Sequence, residues 1–205
     1  MSGFFDGDGK QALATAIPAF ERTTSAELVI TVRPRSDPYW HVSVLVGAVA
    51  ALIVLALLLY TEPEFDLPWF LVCPALVGPA FGVAARWPRA QRALTTTAQR
   101  ERRALAAARA TFVEHGVADT RARTGVLLYI SLAERTAVVI ADLAVRRAVP
   151  PDSWARALAA LQLPLAAGAP ATALIAPIIA LGDLCGEVLP RLDDDINELA
   201  DEVQS

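Results

Sequence analysis

The pattern of hydrophobic and polar positions is dominated by two long apolar runs, residues 41–60 and 67–85, joined by a short link. A helix rises about 1.5 Å per residue, so the first run would extend roughly 30 Å, the thickness of a bilayer's hydrocarbon core. The link, residues 61–66, holds three acidic residues and neither Lys nor Arg. We therefore expect residues 39–87 to form a hairpin of two membrane-spanning helices.

The charges on either side of the hairpin predict its orientation. Lys10 and three arginines precede the first run, and a cluster of arginines follows the second. Because cytoplasmic flanks are enriched in Lys and Arg, both termini and the polar part of the chain are expected on the cytoplasmic side of the inner membrane. Aromatic and basic residues at the ends of the runs are expected at the membrane interface: Trp40, Tyr60, Trp69, Arg86, Trp87, Arg89 and Arg92.

Residues 1–38 predict one helix and one strand before the hairpin. The helix would begin at Asp8, as its N-cap, and run to about Arg22. The strand signal follows at residues 27–32, where apolar side chains dominate.

The segment after the hairpin predicts a longer series of elements. A basic helix is expected within residues 88–117, and two strands are expected at residues 126–132 and 137–141, joined by a short turn. Both strands are apolar at nearly every position, which is typical of strands covered on both faces by helices.

Two further helices would supply that cover. One begins near Pro151, with Asp152 as its expected cap, and contains Trp154. The other spans about residues 170–189; it is short and interrupted by Pro177, so we expect a buried core helix and not a third membrane span. Residues 1–38 and 118–192 would then form one α/β domain, because two spans return the chain to its starting side.

Composition narrows the possible chemistry. The chain has 205 residues, a net charge of −4, two cysteines and two histidines. Its only histidines, His41 and His115, lie at a membrane boundary and at a helix end, which argues against a Ser-His-Asp triad and against zinc. The arginines lack interleaved aromatic residues, so we expect no nucleic-acid binding. The acidic residues 193–205 lack the central glycine of a calcium loop and are expected to be solvated.

Three carboxylates lie at predicted strand ends and are candidates for a site. Glu27 opens the first strand, Glu134 lies in the turn, and Asp142 ends the last strand. If they meet, they could hold a hard cation such as Ca²⁺ or Mg²⁺. Alternatively, they cap turns or pair with Arg123 and Arg135.

The stretch TRARTGVLLYISLAERTAVVIAD, residues 120–142, resembles the TPM domain, also called the thylakoid lumen phosphatase-like domain. The resemblance extends to TSAELVIT at residues 24–31, to Trp154, to residues 182–190 and to the tail motif DDDINELAD. The chain is similar to the bacterial membrane branch of that family, in which two spans follow the first strand. The resemblance implies a layered sheet-and-helix α/β domain that is split by an inserted two-helix transmembrane hairpin.

The resemblance also implies a set of functional positions. Some relatives are described as acid phosphatases or calcium binders, and others as accessory subunits of membrane proteins or photosystem repair factors. The polar residues that match the family pattern are Glu27, Arg123, Thr124, Glu134, Arg135 and Asp142. Arg123, Thr124 and Arg135 would contact a phosphate or another polar ligand. The chain departs from the pattern at Ala26, where the family usually has glycine, and at Leu143–Ala144, where it usually has Arg-Gly or a similar pair.

Three functions remain open from the sequence. The leading expectation is a non-enzymatic, membrane-anchored module that binds another membrane protein. The alternative is a phosphatase that depends on Ca²⁺ or Mg²⁺, with the three carboxylates as ligands and Arg123 on the phosphate. A third possibility is that the hairpin pairs with other spans through Gly78 and Gly82.

Overall fold

A computed structural model describes residues 7–37, 39–61, 65–192, 198–199 and 203–204. The chain divides into two compact units. We call Met1–Ser36 with Glu101–Ser205 the α/β unit, and Asp37–Arg100 the hairpin unit.

Helices and strands alternate irregularly along the chain. In chain order they are α1 (Gly7–Glu21), β1 (Glu27–Arg33), α2 (Trp40–Tyr60), α3 (Leu67–Ala84), α4 (Pro88–Leu94), α5 (Thr97–Glu114), β2 (Gly125–Ser131), β3 (Thr136–Ala141), α6 (Leu143–Ala148), α7 (Pro151–Ala167) and α8 (Ile175–Gly186). Short 3₁₀ turns at Val117–Asp119 and Ala171–Leu174 precede β2 and α8. The chain is thus of mixed α/β class, as the sequence predicts.

The sheet joins strands from both sides of the hairpin unit. Its order is β1-β2-β3, with β1 parallel to β2 and β3 antiparallel to β2. Glu27 lies opposite Gly125 at one end of the β1–β2 pair, and Arg33 lies opposite Ser131 at the other. The chain therefore leaves the α/β unit after β1 and returns to place β2 beside it.

Apolar side chains on both faces of the sheet are covered by helices. On one face, Leu28 and Leu128 belong to a buried cluster with residues of α1, α7 and α8. On the other face, Val29 and Leu127 pack with Ala108 of α5. This arrangement explains why the strands are apolar at successive positions and do not alternate.

The last helix lies in the core of the α/β unit. Ile178, Leu181 and Cys185 of α8 are fully or almost fully buried. At 12 residues, α8 is also too short to cross a bilayer. The expectation of a buried core helix is confirmed.

Two predicted helix caps are wrong. Asp8 lies in the first turn of α1, because the helix already begins at Gly7. Asp152 likewise lies in the first turn of α7, whose N-cap position is occupied by Pro150. Both carboxylates still lie at the positive end of the helix dipole, where a negative charge is favourable.

The basic helix expected within residues 88–117 is divided. Helix α4 ends at Leu94, Thr95 has extended backbone, and α5 begins at Thr97. Thr96 and Gln99 form a reciprocal cap: the Gln99 N–H donates to Thr96 Oγ1 at 3.2 Å, and the Thr96 N–H donates to Gln99 Oε1 at 3.1 Å. This capping box starts a new helix where the apolar pattern alone predicts continuity.

The hairpin unit packs α2 against α3 through small residues. A Cβ added at Gly47 would lie 2.7 Å from the carbonyl oxygen of Gly78, and one added at Gly82 would lie 3.0 Å from that of Ser43. Gly78 and Gly82 therefore lie at the contact between the two helices of this hairpin. The possibility that they pair with other spans is not supported by this placement.

The outer surfaces of α2 and α3 are apolar and exposed. Both helices are long and apolar enough to cross a membrane, and only 6% of the most apolar window of each is buried. Trp40, Tyr60, Trp69 and Trp87 are exposed near the helix ends, as is Arg86. The side chains of Arg89 and Arg92, predicted at the same interface, fall outside the described part of the chain.

Candidate functional site

The six polar residues singled out by the sequence lie at two opposite ends of the sheet. Glu27 and Asp142 flank Gly125 at the start of β2, whereas Glu134 follows the end of β2. Strand β2 has seven residues, so its two ends are about 20 Å apart at roughly 3.3 Å per residue. Glu27, Glu134 and Asp142 therefore do not form a single cation site.

Asp142 fastens the start of α6 to the loop before β2. Its Oδ1 accepts a hydrogen bond from the Leu143 N–H at 2.7 Å, which caps α6. Its Oδ2 forms an ion pair with Arg123 Nε at 2.8 Å, and the Ala144 N–H donates to the Arg123 carbonyl at 3.1 Å. Arg123 has a left-handed backbone, with φ of 57°. Asp142 therefore has a structural task that uses both carboxylate oxygens.

Glu27 lies on the other side of Gly125 and contacts the C-terminal segment. Its N–H donates to the Thr124 carbonyl at 3.3 Å, and the Thr124 N–H donates to Thr120 Oγ1 at 3.0 Å. Glu27 Oε1 accepts from the N–H of Glu198 at 3.0 Å. Among the residues that the structure describes, no group of three or more His, Cys, Asp or Glu side chains is placed to hold a metal ion.

Glu134 organises the opposite end of the sheet. It is 5% exposed, and its two oxygens accept from the Ser36 N–H at 3.2 and 3.3 Å. Glu134 Oε2 also accepts from the hydroxyl of Ser131. The carboxylate thus joins the turn after β2 to the segment that follows β1.

Tyr129 extends this polar group into the sheet. Its hydroxyl donates to Ser36 Oγ at 3.3 Å, while its ring is buried. Burial raises the pKa of the Tyr129 phenol, the hydrogen bond with Ser36 opposes the shift, and the nearby Glu134 charge adds to it. The phenol is therefore a neutral donor under ordinary conditions.

Arg135, in the turn between β2 and β3, contacts α7 and lies at the end of the sheet opposite Arg123. Its Nη1 donates to the Ala166 carbonyl at 3.4 Å in the last turn of α7, and its own carbonyl accepts from Gln162 Nε2 at 2.7 Å. A cation is favourable at a helix C-terminus, where carbonyl groups are unpaired. Arg123, Thr124 and Arg135 are therefore not brought together as one phosphate site.

The sequence does not single out several residues that bond to Glu134 and Arg135. Ser36, Ser131 and Gln162 carry no motif that identifies them as partners of Glu134 and Arg135. One signal was available, since Ser131 is a polar residue in an apolar strand three positions before Glu134. A buried hydroxyl needs a partner, and a carboxylate in the adjoining turn is within reach.

Comparisons with known proteins bear on the fold alone. No family model matches the chain, and no curated protein matches it. Among solved structures, the chain is similar to the NMR structure of BA42 protein from the psychrophilic bacterium Bizionia argentinensis, with a TM-score of 0.59 and 18% sequence identity. The match covers 100% of this chain and 99% of that chain. The two proteins share a mixed α/β fold.

Proposed function

We propose that this chain is a membrane-anchored accessory module. In this proposal α2 and α3 cross the inner membrane twice, and the α/β unit binds another membrane protein on the cytoplasmic side. The observation that carries the proposal is the structural use of the candidate polar residues, since Asp142, Glu134 and Arg135 each have their charged groups engaged in holding chain segments together.

The membrane part of the proposal is supported by exposed apolar surface. Leu45, Leu52 and Leu76 are each exposed by about two thirds on the outside of α2 and α3. Transfer of each such side chain from water to an apolar environment is favourable by roughly 1.5–3 kcal/mol. Lipid is the environment that would cover both helices over their whole length.

The placement of the α/β unit follows from its connectivity. Strands β1 and β2 pair with each other, although the hairpin unit separates them in sequence. If the hairpin crosses the bilayer twice, both flanks are on one side, and the basic flanks favour the cytoplasmic side.

We also propose that the α/β unit is a TPM-like domain. The motif at residues 120–142 forms the loop before β2, the β2–β3 hairpin and the cap of α6. Its most distinctive polar residues therefore have identifiable structural tasks in this fold.

A divalent-cation-dependent phosphatase is the second candidate. The observation that favours it is the grouping of Glu27, Arg123, Thr124 and Asp142 around the start of β2, with the Arg123 side chain 55% exposed. Hydrolysis of p-nitrophenyl phosphate by the purified chain, with Ca²⁺ or Mg²⁺, separates the two candidates. Background rates for both the natural chain and Asp142→Asn support the accessory module; a rate that Asp142→Asn abolishes supports the phosphatase.

Binding to another membrane protein is tested by site-specific photo-crosslinking in native membranes. A photoreactive residue is placed at Val113 or at Leu163, two exposed apolar positions of the α/β unit, and at Leu71 on α3 for comparison. The proposal predicts a discrete adduct with the same membrane protein from at least one α/β position, recovered again when that protein carries the tag. Lipid adducts alone at Leu71, with none at Val113 or Leu163, would count against it.

A further inference from the structure

Strand β1 is the edge strand of the described sheet, and three of its outward-facing backbone groups are hydrogen-bonded. Its other edge pairs with β2, so the N–H and C=O groups of Leu28, Ile30 and Val32 point away from the sheet. The Leu28 N–H donates to Oε1 of Glu21 at 2.9 Å. Beyond it, the Ile30 carbonyl accepts from the Gln204 N–H at 3.0 Å, and the Val32 N–H donates to the Gln204 carbonyl at 2.9 Å.

The described residues of the C-terminal segment therefore follow β1 in a parallel direction. Glu198 lies at the start of the strand, where its N–H donates to Glu27 Oε1 and its Oε2 accepts from the Arg121 N–H at 3.1 Å. Gln204 forms a parallel bridge with Thr31, four residues further along β1. Of the acidic segment expected to be solvated, Glu198 is exposed, whereas Leu199, Val203 and Gln204 are half-buried; residues 193–197 lie outside the described part of the chain.

Two apolar side chains anchor the segment on opposite faces of the sheet. Leu199 packs against the cluster that contains Val29, and Val203 packs against the cluster that contains Leu28. The segment thus combines backbone hydrogen bonds with apolar contacts, which is how an extended peptide binds the edge of a sheet.

The other edge of the sheet is closed in a different way. At β3, the Ala137 N–H donates to Oε1 of Gln162 at 3.0 Å, and Gln162 belongs to α7, whose Leu161 and Leu165 are buried in the core. A side chain of a core helix cannot leave without disrupting the domain. The segment that contains Leu199 and Gln204 contacts β1 from outside the ladder, so it can leave β1 and keep the β1–β2–β3 pairing intact.

We propose that the outer edge of β1 is a strand-docking surface for an extended segment of a partner protein. The partner segment would carry an acidic residue followed by apolar residues at the spacing of Glu198, Leu199 and Val203, and the chain's own C-terminal segment occupies the edge when no partner is bound. This inference rests on the proposed function, since it names the surface by which the α/β unit would bind a protein. Tethering gives the resident segment a millimolar effective concentration, so a partner held in the same membrane has an advantage over a freely diffusing one.

The test uses a fluorescent peptide with the sequence ELADEVQS, residues 198–205, as the probe. Binding is measured by fluorescence anisotropy to the full chain in detergent and to a variant that lacks residues 193–205. We expect the truncated chain to bind the peptide at least about tenfold more tightly than the full chain, because tethering keeps the edge occupied in the full chain. Equal affinity for the two chains, or no binding to either, would overturn the proposal.

Backbone methylation of the peptide supplies a matched control. A methyl group on the amide nitrogen of Gln204 removes the hydrogen bond to Ile30, whereas the amide of Val203 points away from β1. Methylation at Gln204 should weaken binding at least about fivefold, the effect of one net hydrogen bond, and methylation at Val203 should not. Identical losses for the two peptides would show that the segment does not bind as a strand.

Hydrogen exchange in the full chain tests the same contact without truncation. Gln204→Pro removes the N–H that bonds to Ile30, and it should accelerate exchange of the Val32 amide while leaving that of Val29 protected by β2. Unchanged exchange at Val32 would contradict the proposal. If photo-crosslinking finds a partner protein but the peptide-binding and exchange experiments are negative, the proposed function is retained and β1 is rejected as the binding surface.

Discussion

The two carboxylate oxygens of Glu134 share a bifurcated hydrogen bond from the N–H of Ser36, at N···O distances of 3.2 and 3.3 Å. This bidentate contact joins residues that are 98 positions apart in sequence, and the Ser131 hydroxyl completes it. Ser36 is the last residue of the α/β unit before the hairpin unit begins. Glu134 thus holds the chain at the point where it leaves the α/β unit.

Replacing Glu134 by Ala should destabilise the chain. The Ser36 N–H and the Ser131 hydroxyl would lose their buried acceptor, and we expect a loss of about 3 kcal/mol in the free energy of unfolding. Glu134→Gln keeps one acceptor oxygen and should lose about half as much. Urea unfolding of the full chain in detergent measures both values.

The matched control is Glu187→Ala, which removes an exposed carboxylate just after α8. It should change the free energy of unfolding by less than about 0.5 kcal/mol. Similar losses for Glu134→Ala and Glu187→Ala would show that the contact with Ser36 does not stabilise the fold.

Asp142 should act as a helix cap more than as an ion-pair partner. Asp142→Asn retains an oxygen for the Leu143 N–H and should cost only a few tenths of a kcal/mol, whereas Asp142→Ala should cost about 1 kcal/mol. The ion pair with Arg123 adds little, because the arginine side chain is more than half exposed. Thermal unfolding would contradict this account if the Asn and Ala variants were equally destabilised.

Gly125 should tolerate no side chain. A Cβ at this position would overlap the carbonyl oxygen of Val117, so Gly125→Ala forces the backbone before β2 to move. We expect a loss of about 3 kcal/mol or more, seen as reduced yield of folded protein and a lower unfolding midpoint. Gly7→Ala is the control, since none of the described residues has an atom within 4 Å of the added Cβ. A Gly125→Ala protein as stable as Gly7→Ala would contradict the structure around β2.

Cys185 should make the free energy of unfolding decrease at alkaline pH. Burial raises the pKa of its thiol from 9.0 to about 12, so the folded state favours the neutral form. The neutral thiol therefore contributes fully to the free energy of unfolding below pH 9, and this contribution is lost as the pH rises from 9 towards about 12. The stability difference between the natural chain and Cys185→Ala should therefore shrink across that range. Tyr129 shifts in the same direction but is present in both proteins, so its effect cancels. A difference independent of pH would show that the thiol is not buried.

The sequence predicts the elements of the α/β unit well because its strands and core helices are marked by apolar runs. Periodicity places β1 and β3 to within a residue or two. The absence of alternation correctly indicates that β2 is covered on both faces, whereas most residues of β3 are half-buried. These apolar runs can be recognised within a short window of sequence, because each side chain that is buried in the core must itself be apolar.

The candidate site could be predicted only in part, because a local pattern marks a strand end without saying which end of the sheet it joins. Glu27 begins β1 and Asp142 follows β3, yet both meet the start of β2, because β1 is parallel and β3 antiparallel to it. Glu134 follows the end of β2 and lies at the far side. Only the direction in which the strands pair shows that Glu27 and Asp142 lie at one end of the sheet and Glu134 at the other.

The C-terminal segment illustrates a second limit. Its acidic side chains predict solvation, but the contacts of Gln204 with β1 are made by backbone groups that every residue carries. Edge pairing of this kind leaves no side-chain signature.

The central claim, that α2 and α3 form a membrane hairpin with the α/β unit on the cytoplasmic side, is tested most directly by cysteine accessibility in intact cells. In a background of Cys73→Ala and Cys185→Ala, one variant carries Thr61→Cys in the link after α2, and another carries Ala155→Cys on the exposed side of α7. A membrane-impermeant maleimide should label Thr61→Cys from outside, and it should label Ala155→Cys only after the inner membrane is opened. Labelling of both sites in intact cells, or recovery of the chain in the soluble fraction, would contradict the account.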